Sequence, residues 1–313
     1  MPDPQTPSAA ENPAPGGPGA ARDRPGLYAL LERYLAALQA RDPDRLPWAE
    51  NPRITENNVA LRPGDGLWGS ITGFGGYALR FADPQTGSVG FHGVVDESGT
   101  RSPFAMRLTL AGDRIAEVET IVVRAMDSGV PFVTAELADR PSFDQTVPAE
   151  LRSPRPQMIA LANGYFDTLQ QNDGTLHVQF DPACNRRENG MQTTNNPEAA
   201  AKYGFIMGLG CTEQFRLGYF RFDDRLRGRR PLVIDEERGL IMMAAFIDHS
   251  GRISEYTLTD GRRISSKVHG VNSRALLETF KISGGRIADI EAVFTSVPYR
   301  MPSPWGAAGF HYE

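Results

Sequence analysis

The chain of 313 residues carries one sequence pattern twice. The segment LLERYLAALQ at 30–39 is matched by LANGYFDTLQ at 161–170. The segment RLTLAGDRIAEVE at 107–119 is matched by TFKISGGRIADIE at 279–291. A repeat this long predicts a duplicated domain rather than a solenoid unit. Each half should therefore have its own core and its own concave face.

The overall composition is that of an ordinary globular protein, with 40% hydrophobic and 23% charged residues. The net charge of −5 provides no basic field, so we expect no nucleic-acid partner. The chain also lacks an apolar run of about 18 residues, so no membrane span is predicted.

Composition shifts along the chain predict four regions. Residues 1–26 are rich in Pro, Ala and Gly and should be disordered. A first domain follows at 27–126, then a linker at 127–156 that contains five prolines, and a second domain at 157–313. The N-terminal segment lacks the apolar core of a signal peptide, which predicts a cytoplasmic protein, or an exported one if a leader was removed.

Both halves are predicted to begin with a helix and to continue with strands. Leucines at helical spacing indicate a helix over 27–41, and its counterpart should span 157–171. Asn196 and Pro197 are typical of the start of a further helix. Strands are predicted at 53–61, 77–83, 89–96, 104–110 and 115–124 in the first half, and at 229–235, 240–248, 253–259, 275–282 and 286–297 in the second.

This order of elements resembles the nuclear transport factor 2-like, or SnoaL-like, cone fold. The resemblance lies in the hairpins at 110–115 and 282–287 and in the helices at 28–39 and 158–170. It implies an α+β protein of two tandem cone-shaped domains, each with N-terminal helices packed on a curved antiparallel sheet. It also implies a cavity between helices and sheet, which in the first half is expected to be either open or filled. Members of this fold include isomerases, dehydratases, hydrolases, and binding or dimerisation modules, so the fold alone does not select a function.

The polar motif NRRENG at 185–190 is the strongest candidate for chemistry. Strand alternation would place Arg186 and Glu188 on one face, and a carboxylate in an apolar pocket acquires a pKa suited to acid–base catalysis. The alternative is a structural Arg–Glu pair. The corresponding motif Glu56-Asn57-Asn58 in the first half favours a shared architectural role.

Glu278 is the second candidate carboxylate. It shares a predicted strand face with Leu276 and Phe280, so it should face either the cavity or a domain interface, with a partner or a proton. His269 is a third catalytic candidate because it is the nearby histidine least expected at a turn tip.

Six further residues are expected to bind the substrate: Arg187, Asn189, Glu213, Gln214, Tyr299 and Trp305. Glu213 and Gln214 follow a glycine-rich break and could equally mark a helix end. Tyr299 and Trp305 belong to a proline-rich C-terminal strap, residues 299–305, which could cap a pocket or cross the domain interface. Trp68 in the first half could line a cavity or fill it.

The two cysteines, Cys184 and Cys211, are expected to border the same cavity. We predict a disulfide between them, which would be consistent with export, while two free buried thiols are the alternative. Two cysteines without a histidine cluster do not indicate a zinc site.

Two functional hypotheses follow. The first is an enzyme without metal or organic cofactor that performs acid–base chemistry of the lyase, isomerase or hydrolase type on a small, partly apolar molecule in the second domain. Glu188 and Glu278 would form its acid–base pair. The second is a noncatalytic ligand-binding or assembly module with filled cones. A homodimer through the sheets is a further expectation.

Overall fold

The computed structural model describes residues 22–124, 133–135, 137–266, 268 and 270–306. Within these ranges the chain is a mixed α+β structure with few helices and two six-stranded sheets. None of the helices in this part of the chain has the length and apolar character needed to cross a membrane. The predicted disorder of 1–21 lies outside the described residues.

Most elements follow the predicted order in both halves, but the strand predicted at 53–61 is two antiparallel strands joined by a turn at 57–58. The first half contains α1 Arg24–Ala40, β1 Trp48–Glu56, β2 Val59–Leu61, α2 Leu67–Ser70, β3 Gly73–Asp83, β4 Ser88–Glu97, β5 Thr100–Ala111 and β6 Arg114–Val122. The connecting segment contains α3 Pro141–Asp144. The second half contains α4 Arg155–Gln171, β7 Phe180–Glu188, β8 Met191–Gln192, α5 Pro197–Tyr203, α6 Cys211–Arg216, β9 Arg225–Asp235, β10 Leu240–His249, β11 Glu255–Thr257, β12 Arg263–Ser265, β13 Asn272–Ser283 and β14 Arg286–Val297.

The first helix begins inside the segment that composition predicted to be disordered. The Asp23 side chain accepts a hydrogen bond from the Gly26 amide at 2.8 Å, and Pro25 lies in the first turn. These residues satisfy a free amide and preset the helical backbone, so α1 starts at Arg24 rather than at 27. The prediction of disorder for 22–26 was wrong because it did not weigh this capping signal.

The two sheets have the same strand order. It is β2-β1-β6-β5-β4-β3 in the first half and β8-β7-β14-β13-β10-β9 in the second. The predicted antiparallel sheets differ from the structure at one place in each half, where β1 pairs with β6, and β7 with β14, in parallel. In each case the paired strands are far apart in the sequence, and the long connection between them permits parallel pairing.

Three main apolar clusters hold the described chain together. One cluster lies between helices and sheet in each half, and a third lies between the two sheets. The third includes Phe81 and Ile121 from the first half, and Met242 and Leu277 from the second. The halves thus meet through their sheets within one chain. A homodimer stays a prediction, and it would need surfaces other than the sheet faces buried between the halves. The predicted domain boundaries also stay predictions.

Candidate functional site

The second half encloses a cavity of about 300 Å³ between helix α4, the segment 203–223 and one face of the sheet. Its aromatic lining comprises Tyr165, Tyr203, Tyr219, Phe220, Phe222 and Phe294. Its charged lining comprises Arg186, Glu188, Asp223, Arg274 and Glu278. A mainly apolar cavity with a few converging polar groups is the usual form of a small-molecule site.

The equivalent space in the first half is filled. It measures only about 20 Å³, because Tyr34, Trp48 and Trp68 pack edge to face with ring centroids 5.6–6.5 Å apart. Glu56, the counterpart of Glu188, accepts from the Leu67 amide at 2.7 Å and pairs with Arg124 at 2.9 Å. Glu56 is therefore a structural residue, and Trp68 is one of the aromatic residues that fill most of this space.

Strand register brings the two predicted catalytic carboxylates onto one face of the sheet. Glu278 on β13 is directly opposite Ala292 on β14, and Ala292 is directly opposite Glu188 on β7. Paired residues on neighbouring strands project to the same side, so the two glutamates are about 10 Å apart at their backbones. The methyl group of Ala292 between them leaves room for a ligand.

Burial dominates the electrostatics of Glu278. This residue is 3% exposed, and loss of hydration, followed by the negative charge of Glu188, raises the pKa of Glu278 from 4.5 to about 8. Arg186 and the Tyr165 hydroxyl oppose this rise without cancelling it. Glu278 is consequently protonated at neutral pH for the most part and can act as a proton donor, or as a base after losing the proton.

A fixed guanidinium lies beside the carboxylates. Arg186 is buried, with Nε 3.5 Å from Glu188 and Nη2 donating to Gln214 Oε1 at 2.6 Å. The Gln214 amide nitrogen donates to the carbonyls of Thr193 and Ile206, at 2.6 and 2.8 Å. This network fixes the amide so that its oxygen faces Arg186. Gln214, predicted to bind substrate, reaches the cavity but mainly positions Arg186.

Two other predicted substrate-binding residues point away from the cavity. Arg187 lies on the opposite face of β7, where Nη1 donates to Ala138 O at 3.2 Å and is 3.9 Å from Glu291. Asn189 is fully buried and its amide bonds both backbone groups of Phe294, at 2.9 and 3.1 Å. Both residues therefore have structural contacts in place of the predicted substrate contacts.

The repeated asparagine explains why the motif occurs in both halves. Asn57 and Asn189 have φ of 49° and 48° and are followed by Asn58 and Gly190, also at positive φ. Each pair makes the tight turn between two strands, a geometry that suits Asn and Gly. Asn57 bonds both backbone groups of Val122, as Asn189 does with Phe294. The repetition therefore reflects a turn shared by the two sheets.

The remaining substrate-binding predictions also lie outside the cavity lining. Glu213 is exposed in the first turn of α6, and the Tyr299 ring contacts Arg300. The Trp305 ring lies 4.4–4.6 Å from the guanidinium carbons of Arg53 and Arg107 in the first half. The strap crosses to the other half because this electron-rich ring meets two arginines there. His269 lies outside the described residues.

The two cysteines belong to the apolar core of the second half and are not among the residues that line the cavity, contrary to expectation. Their sulfur atoms are 2.6 Å apart, between β7 and α6, and both are free thiols. The contact between them lowers the pKa of Cys211 and raises that of Cys184. The predicted disulfide between Cys184 and Cys211 is therefore not formed in this structure, in which the two thiols are in contact without a bond between them.

Sequence reasoning missed several cavity residues. Tyr165 was identified only as part of the repeated helix, yet it packs against four aromatic rings beneath Glu278 and Arg186. Arg274 shares a face with Glu278 because the two are four positions apart on one strand, a signal that the sequence contains. Asp223 could not be connected with Arg274, since about fifty residues separate them.

No group of three or more His, Cys, Asp or Glu residues suited to a metal ion occurs in the described ranges. Within the described part of the chain, the cavity therefore contains separate polar groups and not a cluster of metal ligands.

Part of the second half is similar to a family model that carries no known activity. Residues 151–294 match the family described as "Domain of unknown function (DUF8021)". No curated protein matches the chain. The match spans the whole candidate site except the strap, so the function must be argued from the cavity residues.

Three solved structures are similar to part of the chain. A de novo designed protein with a curved β-sheet is 13% identical over 32% of this chain and 87% of its own, with a TM-score of 0.28. A protein from Sphaerobacter thermophilus is 20% identical over 30% and 94%, with a TM-score of 0.26. A "putative ketosteroid isomerase" from Kribbella flavida DSM 17836 is 16% identical over 40% and 91%, with a TM-score of 0.27.

Proposed function

We propose that the cavity of the second half catalyses proton transfer on a small, mainly apolar molecule, as an isomerase or lyase does, with Glu278 as the group that gives and takes the proton. The observation that carries this proposal is a buried carboxyl in an open cavity with a pKa of about 8. Catalytic acids and bases work best when their pKa lies near the operating pH.

The neighbouring residues have distinct roles in this proposal. Glu188 keeps the pKa of Glu278 high through its negative charge, and Arg186 faces both carboxylates. A guanidinium in this position can stabilise negative charge that develops on a substrate oxygen after proton removal. The aromatic lining excludes water and holds the apolar body of the substrate, which strengthens each of these electrostatic interactions.

We also propose that the two halves have a common origin in one duplicated domain. The two halves would be copies of one cone-shaped domain of the nuclear transport factor 2-like type, in which only the second copy keeps an open cavity. The matching strand orders and the two equivalent asparagine turns support this view. The first copy then serves as a packing partner, since aromatic side chains fill its interior.

The test uses 5-nitrobenzisoxazole, a small apolar probe whose ring opens when a base removes its carbon-bound proton and the N–O bond breaks. The product is a coloured phenolate. Because the carboxylate form of Glu278 is the base, the rate should rise with pH and level off above a midpoint near pH 8. A rate no faster than that with an equal concentration of free acetate would refute the proposal.

Substitution of Glu188 should move this midpoint. Glu188→Gln removes the negative charge that raises the pKa of Glu278, so the midpoint should fall by on the order of one pH unit, while burial still holds it above 4.5. Glu56→Gln, the equivalent change in the filled half, should leave the midpoint unchanged. An unchanged midpoint in Glu188→Gln would show that the two carboxylates do not interact.

A further inference from the structure

One end of the cavity holds polar groups that the proton-transfer proposal does not use. This polar end consists of Asp223 and Arg274, which line the cavity, and of His249 and Asn272, which adjoin them. His249 and Asn272 are opposite one another on β10 and β13, and strand alternation places them on the same face as the cavity residues Ile247 and Arg274.

The polar end contains unsatisfied hydrogen-bonding atoms. Eight buried side-chain polar atoms in the described ranges have no partner, and three of them are His249 Nδ1, Asn272 Oδ1 and Arg274 Nε. Buried polar atoms are nearly always paired, so a concentration of unpaired atoms at a cavity wall requires an explanation. Arg274 Nε is a donor that lacks an acceptor, whereas Asn272 Oδ1 and His249 Nδ1 are acceptors that lack donors, so only Arg274 calls for an anionic ligand group.

Arg274 provides the strongest constraint on that group. Among the described residues its guanidinium has no ion-pair partner within 4.0 Å, and its flat face lies 5.1 Å from the centre of the Phe294 ring. The negative charges of Asp223 and, more weakly, Glu188 act on it through space. The Asp223 carboxylate, however, accepts a hydrogen bond from His249 Nε2 at 2.6 Å, and Glu188 lies 3.5 Å from Arg186. A desolvated guanidinium without a counter-ion is costly, and a carboxylate fits its planar fork with two parallel hydrogen bonds.

We propose that the ligand of this cavity is a small carboxylic acid with an apolar body, whose carboxylate binds Arg274 at the polar end. The inference rests on the proposed function, because it concerns the molecule on which Glu278 would act. Arg274 and Glu278 are four residues apart on β13, so their backbones are about 13 Å apart with Leu276 between them. A bound acid would place its apolar body along Leu276 and a carbon several bonds from its carboxylate near Glu278.

The test compares 4-phenylbutanoate with its uncharged amide, 4-phenylbutanamide, by isothermal titration calorimetry at neutral pH. Wild-type protein should bind the acid at least tenfold more tightly than the amide. Arg274→Gln should reduce this preference to less than twofold, and the exposed Arg252→Gln should keep it in full. No detectable binding of the acid, equal binding of acid and amide by the wild type, or an unchanged preference in Arg274→Gln would overturn the inference.

Two additional variants test the role of Arg274 if Arg274→Gln does not fold, and separate ligand binding from catalysis. If Arg274→Gln does not fold, Arg274→Lys retains the charge without the planar fork and should weaken acid binding at least threefold with little effect on the amide. Unchanged acid binding in this variant would overturn the inference. Glu278→Gln should retain the acid preference while losing proton transfer, so failure of the catalytic proposal is distinguishable from failure of this one.

Discussion

Glu278→Gln is expected to slow ring opening of 5-nitrobenzisoxazole by ~10²-fold or more at pH 8, because glutamine keeps the shape of the side chain but cannot accept the proton. The measurement is the initial rate of phenolate formation, normalised to the folded protein concentration. Glu213→Gln makes the same change at an exposed position outside the cavity and should be fully active. Full activity in folded Glu278→Gln would remove Glu278 from the mechanism.

The same variant should change how stability depends on pH. The folded protein holds the Glu278 proton with a pKa of about 8, against an ordinary value of 4.5. The folded state therefore binds more protons than the unfolded state between these values, and the free energy of unfolding falls as pH rises. Glu278 contributes a slope of up to about 1.4 kcal/mol per pH unit in this window. Glu278→Gln lacks this pH-dependent contribution. Its free energy of unfolding relative to that of the wild type should therefore increase as pH rises from 5 to 8.

Asn189→Ala is expected to have the largest effect on folding. The substitution leaves the buried amide and carbonyl of Phe294 without partners and places alanine at a φ of 48°. Each lost hydrogen bond costs about 1 kcal/mol and the backbone strain about 1 kcal/mol more, so the free energy of unfolding should fall by roughly 2–4 kcal/mol. Urea unfolding followed by circular dichroism measures this change.

The first half provides the matched variant. Asn57→Ala removes the same two bonds, here to Val122, from the equivalent turn. We expect a loss of stability of similar size, since the two turns have the same geometry. A change below about 0.5 kcal/mol in both variants would show that these asparagines do not support the sheets, and would return Asn189 to consideration as a substrate residue.

Local sequence signals predicted most of the elements correctly. The leucine spacing identified α1, the Asn196-Pro197 pair marked the start of α5, and glycines marked the turns at 112 and 284. These signals are local: helical periodicity, a capping side chain and positive-φ turns act within a few residues of one another. Glu278 was recognisable for a similar reason, as a carboxylate among apolar neighbours on one strand.

The features that sequence reasoning missed depend on distant contacts. The parallel pairing of β7 with β14 joins residues about 100 positions apart, and it places Glu188 opposite Ala292, which in turn is opposite Glu278. Trp305 meets Arg53 across about 250 positions. No periodicity in one sequence encodes such pairings, because they follow from packing of the whole chain. The contacts of Asn189 and of the strap therefore could not be predicted from local pattern, whereas strand alternation already places Arg187 on the face opposite Glu188.

A direct measurement of the pKa of Glu278 decides whether its carboxyl is suited to proton transfer at neutral pH. The carboxyl carbons of glutamate can be labelled with ¹³C and followed by NMR as pH is raised, with Glu278→Gln identifying the resonance. We expect a midpoint near pH 8 for this one carboxyl, and a lower midpoint in Glu188→Gln. A Glu278 resonance that titrates near its ordinary value of 4.5 would show a solvated carboxylate, and would contradict the proposal that this cavity is built for proton transfer.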